Sequence, residues 1–589
     1  LPADRSTAPR RWLLALATLL VAGGSAMPAA AGPKATILSI NDVYQIEGID
    51  GGRSGGMARV RALRAELEKT APDLLLLHAG DFLGPSFIGR TFHGAQMIDV
   101  MGLMQGAAAP GHIDERMFVT FGNHEFDETS CDRAGPLPRL VADSAFTWLA
   151  SNLDFTRCDN LKSLADSPRI AKSRIVESGG LKIGLFSLTL AYPEYAAAVL
   201  DPFDTACRQI EDLRRQGADA VLALTHLRFT TDLELIGLGP DFKEIAPEKR
   251  RCPHSPDLIV GGHDHTNMAL PHAAPRLFKA DADAESAYVI EIEKQEAGLK
   301  IAGRLVPLDG GRKRDAFVQR IVAGWVARND ERFCLKDCLG MAPETAKACL
   351  KSVDDGACLN ERYARIASPI VAEEIANRSF ETGFGNWLAD RLRDAGEADV
   401  ALVNSGAIRL NQNLAAGTIL TRRHLEQMFP YKSKLVTRDV TGAVLWRAME
   451  HSVRQRGEGA WAHFSGMAVA LAEPGSPSPI AALKARRRDG SVVAIGPQSR
   501  DVFRLASFAF VLANGDGHGF EVCPPGTAIG PCIAAIEAAP AWPLKGEGAE
   551  ITGLVRLRLG ETDQARGLEL PVDRRFCDRG SSGCLIARW

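Results

Sequence analysis

Beyond its N-terminal end the chain has no apolar run long enough to span a bilayer, so further membrane-spanning helices are excluded. Charge of one sign is also missing. The formal net charge is −3, and no global basic field favours a nucleic-acid polymer as partner. No two cysteines form a C-x-x-C unit, which removes the usual mark of a structural zinc site. No internal repeat is visible, so a solenoid is excluded as well. What remains is an ordinary globular composition, with 46% hydrophobic and 24% charged residues. At 589 residues the chain exceeds what one core usually supports, so two or more domains are expected.

The N-terminus reads as a processing signal. Arg10-Arg11 precede the apolar run "WLLALATLLVAGG", and "PAAAG" follows with small residues at Ala29 and Ala31. Residues 1–31 are therefore expected to be a signal peptide cut after Ala31. The run is shorter than the ~20 residues of a spanning helix, which favours cleavage over anchoring. The arginine pair leaves a twin-arginine route open beside general secretion. Twelve cysteines suit a periplasmic or secreted protein, where an even count reads as disulfides. Near pairs are Cys334 and Cys338, Cys349 and Cys358, Cys523 and Cys532, and Cys577 and Cys584. Spacing does not fix their connectivity. A zinc site at 334–358 is the rival reading.

Residues 34–311 alternate short apolar strands with helical stretches: "ATILSI", "DLLLLHAGD", "MFVTFGNHE", "KIGLFSL", "AVLALTH" and "DLIVGGHDH". Polar residues gather just after the strand ends, the pattern of an α/β layer architecture with its site at those ends. Residues 312–368 are charged, helical in pattern and hold four cysteines, which suggests a connecting segment. From 369 a second domain follows, with a helix in "FGNWLADRLRDAG" ending at Gly396 and a strand in "ADVALVNSG".

The strand-end residues are Asp42, Asp81, Asn123, His124, His226, His263 and His265. Carboxylates, an amide and imidazoles together suit one or two borderline divalent cations, with zinc, manganese, iron and cobalt all admissible. Asp81 is the candidate bridge. Two metals roughly 3.5–4 Å apart can ionise a shared water and clamp an in-line displacement at phosphorus. The glycines before Asp81, Asn123 and His263 let the backbone turn sharply next to a ligand. His78, His93, His112 and His254 are read as satisfied turn residues.

"GD", "GNHE" and "GGHDH" in this order resemble the bacterial periplasmic 5′-nucleotidase family. That family also includes UDP-sugar hydrolases, 2′,3′-cyclic-nucleotide phosphodiesterases and animal ecto-5′-nucleotidase. The resemblance implies an N-terminal four-layer α/β/β/α metallophosphoesterase sandwich and a C-terminal α/β nucleotide-binding domain at 369–589. It also implies in-line attack on a nucleotide phosphoester by a metal-bound hydroxide. Asp42, Asp81 and His265 would hold one metal, and Asp81, Asn123, His226 and His263 the other. His124 would stabilise the transition state, oriented by Asp127, while Glu125 would be structural. A cationic imidazole near developing phosphoryl charge is an electrostatic stabiliser. In the second domain, "NRSFETGFGN", "NSGAIR", "FPYKSKLV" and "FVLANGDGHGF" resemble the family's substrate motifs. They imply Arg378, Asn404 and Arg409 as anion and polar contacts, Tyr431 and Phe510 as an aromatic clamp, and Asp516 as acceptor for a sugar hydroxyl. Domain rotation about the cysteine-rich segment would carry substrate to the metals.

One position departs from the family. Tyr44 stands where a histidine ligand of the first metal is expected. A phenol titrates near 10 and is a poor ligand at neutral pH. It could bind a trivalent metal, step back and leave a water on a weaker site, or cost the site that metal; stepping back is the expectation. Two other readings stay open: a thiosulfohydrolase of sulfur oxidation on a related dimetal scaffold, and a non-catalytic binding protein that has lost its metals.

Overall fold

A computed structural model describes residues 32–588 apart from 106–111, 271–275, 340, 521, 526, 540–542, 563–565 and 579–583. The expected signal peptide, residues 1–31, lies outside the described residues. No helix among those described is long and apolar enough to cross a membrane.

Two sheets make the N-terminal domain. The first has seven strands, in the spatial order Gly298–Pro307, Ser286–Gln295, Lys34–Ile40, Leu75–His78, Met117–Thr120, Thr147–Leu149 and Ile170–Ala171. The second has six, in the order Met268–Ala269, Arg276–Lys279, Leu258–Gly261, Ala220–His226, Leu181–Thr189 and Ser173–Ser178. Central neighbours run parallel and the outer hairpins antiparallel. Central strands such as "LLLH" and "AVLALTH" are buried along their whole length, as covered parallel strands must be. Ile37, Leu75, Leu77, Leu222, Leu224 and Val260 fill the space between the sheets. The helices Met57–Leu67 and Ala95–Met101 cover one outer face, and Pro202–Arg215 covers the other. The result is the expected four-layer sandwich. The helix Pro202–Arg215 shows local consistency: Asp201 caps the Phe203 and Asp204 amides, Pro202 opens it, and Arg214 and Arg215 close it.

The helix Ala316–Cys338 buries Val318 and Val322 in the N-terminal core, then runs on to a second helix, Pro343–Asp354. Disulfides Cys334–Cys358 and Cys338–Cys349 staple the pair. The partners are therefore nested, not the adjacent residues of each near pair. All four sulfurs are consumed, which excludes the zinc reading. Cys523–Cys532 and Cys577–Cys584 do join near neighbours, and Cys131–Cys158 and Cys207–Cys252 complete six bonds.

The C-terminal domain has one core around two four-stranded sheets and a two-stranded ribbon. Thr382 caps the helix Gly383–Ala395 by accepting from the Gly385 amide, and Gly396 ends it. The strand Val400–Asn404 follows, buried throughout, and delivers Asn404 to the domain boundary.

Candidate metal and substrate site

Every expected metal ligand sits at the C-terminal end of a central strand, where parallel sheets open their crevices. Asp42, Asp81, His263 and His265 all adopt positive φ, at 51°, 58°, 82° and 61°. Such backbone is uncommon for residues with a Cβ and marks a turn held by its surroundings for a purpose. Neighbouring glycines make the turns feasible. A Cβ on Gly122 would fall 2.1 Å from Asp81 Oδ1, and one on Gly262 would fall 2.9 Å from Asp42 Oδ2.

Asp42, Asp81 and His226 bring one ligand atom each within 4.8 Å of one another, all buried. His226 Nε2 lies 3.2 Å from Asp81 Oδ2 and 3.3 Å from Asn123 Oδ1. Its Nδ1 faces the Ala79 carbonyl at 2.7 Å, which fixes the ring. His265 Nε2 lies 3.3 Å from Asp42 Oδ1. Burial pulls His226 down, but Asp81, Asp42 and the Ala79 carbonyl together outweigh it and lift the ring to about 9. Burial likewise opposes charge on His265, and Glu374 and Asp42 overcome it, lifting that ring to about 10. His263 goes the other way, driven well below its ordinary value by burial and by His226. His263 Nε2 is buried without a hydrogen-bond partner, and Asp42 Oδ1 has only the His265 ring beside it. Orphaned acceptors among imidazoles and carboxylates are what a divalent cation would satisfy, so the residues fit the implied metals. Any such cation competes with the protons on His226 and His265.

Tyr44 points at the cluster. Its ring is 5% exposed, and its hydroxyl lies 3.2 Å from Asp81 Oδ2 and 3.0 Å from His265 Nε2. The Asp283 carboxylate accepts from the Tyr44 and Gln45 amides and fixes the loop that aims the ring inward. Burial and the two aspartates raise the phenol well above its ordinary value, so it acts here as a hydroxyl donor to the cluster.

His124 donates its backbone amide to Asp81 Oδ1 at 2.8 Å, and its Nδ1 meets Asp127 Oδ2 at 2.9 Å. Its Nε2 meets Arg409 Nη2 from the other domain at 3.2 Å. Arginine can only donate, so Nε2 accepts and Nδ1 carries the proton. Glu125 is structural as expected: its carboxylate accepts from the amides of Asp81, Phe82, Leu83 and Gly122. His93 and His254 are exposed and paired with Glu128 and Glu211, and His112 is exposed. His78 is not a turn residue. It ends a central strand, fully buried with both ring nitrogens unpaired, and packs edge-on against Phe82 at 4.7 Å.

A cavity of about 720 Å³ lies between the domains. Asp81, His124, His263 and His265 line it from one side, and Arg378, Arg409, Tyr431, Phe510 and Asp516 from the other. Asn404 donates to Asp516 at 2.7 Å, and the Phe510 ring lies against Gly515, where a Cβ would approach to 2.3 Å. Tyr431 also reaches His124 Nδ1 at 3.3 Å.

With this geometry in place, likeness to known proteins decides the family. Residues 35–267 match the calcineurin-like phosphoesterase family, and residues 364–522 match the 5′-nucleotidase C-terminal domain. The chain belongs to the two-domain 5′-nucleotidase family. Human 5′-nucleotidase is 22% identical over 481 residues, 75% of this chain and 76% of that protein. The trifunctional nucleotide phosphoesterase YfkN of Bacillus subtilis is 24% identical over 501 residues, 78% of this chain. The match spans only 31% of YfkN's own length. In fold, a 5′-nucleotidase precursor from Thermus thermophilus superposes with TM-score 0.68 at 18% identity, covering 93% of this chain and all of that one. Sulfate thiohydrolase SoxB, a Thermus thermophilus structure, gives 0.62 at 13% identity, over 95% of this chain and 99% of that one.

Three features of this family member escape sequence reading. Glu374 contacts His265, Arg378 and Arg409 at once. Glu458 lies 3.8 Å from His263 Nε2. Lys279, fully buried, braces the loop that holds His263 and His265 through the Gly262 carbonyl and Asp264. Only Glu374 left a trace in sequence: it stands four residues before Arg378 on one short helix, the spacing of an intrahelical ion pair.

Proposed function

We propose that the protein is a metal-dependent phosphohydrolase that releases phosphate from nucleotides in the periplasm or outside the cell. Residues 34–311 carry the chemistry, 369–589 hold the substrate, and 312–368 connect them. The observation that carries this reading is the shared cavity, which faces a cluster of metal-type ligands with two arginines, two aromatic rings and a buried carboxylate. Six disulfides suit an oxidising compartment.

Two divalent cations held by Asp42, Asp81, Asn123, His226, His263 and His265 would supply Lewis acidity and water activation. The chain's own residues do the rest. Arg409 and Arg378 offer planar donor forks to phosphoryl oxygens. A phosphoryl group taking the Arg409 donors frees His124 Nε2, which can then hold a proton toward the developing charge while Asp127 keeps the ring in register. Tyr431 and Phe510 would sandwich a base, a contact worth roughly 1–3 kcal/mol per stacked base.

The test is a substrate screen on the full chain with defined added metals, covering AMP, the cyclic AMP isomers and a nucleotide sugar. Phosphate release that stops on chelation supports the reading. Two bound metals without nucleotide hydrolysis would favour a sulfur-linked substrate, and no bound metal a binding protein.

Asp516 gives a pH prediction. Burial raises its carboxyl to about 6, against the hydrogen bond from Asn404. Above that value it is ionised and can accept from a sugar hydroxyl; below it the proton removes that acceptor. KM for a nucleoside monophosphate should therefore rise as pH falls through 6, and Asp516→Asn should remove that inflection, both read from KM against pH.

A further inference from the structure

His226 and His265 are the two metal-type histidines whose second ring nitrogen has a partner, and the partners differ in origin. His226 Nδ1 is fixed by the Ala79 carbonyl of its own domain. His265 Nδ1 is fixed by Glu374, which belongs to the opposite domain. Glu374 is 4% exposed, so water does not compete for the contact. Its other oxygen faces Arg378 and, at 3.3 Å, Arg409 Nη1. A second tie runs alongside. Asn411 accepts from the Glu374 amide at 3.3 Å and donates to Asp283 Oδ2 at 3.2 Å, and Asp283 Oδ1 holds the loop of Tyr44.

A carboxylate on the far nitrogen of a ligating histidine fixes the ring and raises its basicity. From this we infer that Glu374 is a positioning residue which completes the first metal site from the substrate-binding domain, so that metal affinity at that site depends on the domains being together. In the second site His226 is oriented by its own domain, and His263 has from the other domain only Glu458 at 3.8 Å, beyond hydrogen-bond reach, so that site should not depend on Glu374. The same carboxylate holds Arg378 and Arg409, so the residues expected to grip substrate and the ligand expected to grip metal are joined through one side chain. This inference rests on the dimetal reading given above.

Manganese(II) titrated calorimetrically into the metal-stripped full chain tests it, with parent, Glu374→Ala and Glu374→Gln compared. One site should weaken about 10–100-fold in Glu374→Ala, with the other unchanged. Glu374→Gln keeps an acceptor of the same shape and should lose less at the same site. Equal thermal melting of the metal-free proteins shows that the variants fold, and the glutamine variant carries the test if alanine does not. Two parental sites that stay unchanged in both variants, or that weaken alike, would overturn the role of Glu374 alone. Fewer than two sites in the parent would overturn the dimetal reading and this inference with it.

Discussion

Replacing His124 with alanine is expected to lower kcat by about two to three orders of magnitude, the loss typical of one donor to a developing anion. KM should stay within a few-fold, because such a contact forms mainly in the transition state. The geometry makes this substitution unusually clean. Asp81 is tied to His124 through the backbone amide, which alanine keeps. What is lost is the imidazole, held by Asp127 on one nitrogen and facing Arg409 with the other. Metal content should therefore match the parent while kcat collapses. Steady-state kinetics and elemental analysis on the same preparation decide the matter. A parallel loss of metal would move His124 into the ligand set, and an unchanged kcat would remove it from the chemistry.

An α/β layer architecture was readable because the strands are short and apolar and polar residues gather where parallel strands end, while the four-layer sandwich came from the family resemblance. "FGNHEFD" and "GGHDH" carried their positions in the strand that precedes each. Contacts between the domains were not readable. Glu374 and Glu458 are ordinary surface-type residues in sequence, and only tertiary packing puts them beside His265 and His263. Tyr44 shows the same limit in another way. The family resemblance placed it at the metal cluster, but its direction is set by Asp283, some 239 residues away in sequence. His78 failed as a turn residue because burial, which one sequence does not display at a strand's last position, decides its surroundings. Nested disulfides at 334–358 follow from two helices lying side by side, a geometry that spacing alone does not express.

Joining the domains covalently is expected to lower kcat by about tenfold or more, because opening gates entry and release in enzymes whose site is shared between moving parts. The reasoning starts from contacts that substrate must displace. Arg409 reaches His124 and Glu374 reaches His265, so a phosphoryl group that takes the Arg409 donors must first part a contact between the domains. Elsewhere on the boundary Arg90 pairs with Glu426 at 2.5 Å and contacts the Pro430 carbonyl, next to Tyr431. Cysteines at 90 and 426, bridged by a short thiol-reactive linker, would hold that edge. The introduced thiols would have no rivals among the described residues, since every described cysteine is in a disulfide. The same Arg90→Cys/Glu426→Cys protein capped with a monofunctional reagent separates the tether from the loss of the ion pair. A capped protein near parental rate and a bridged protein that is slow would place domain motion on the catalytic cycle. Equal rates would mean that substrate enters and leaves with the domains as they stand, and that the connecting helices are a rigid brace instead of a hinge.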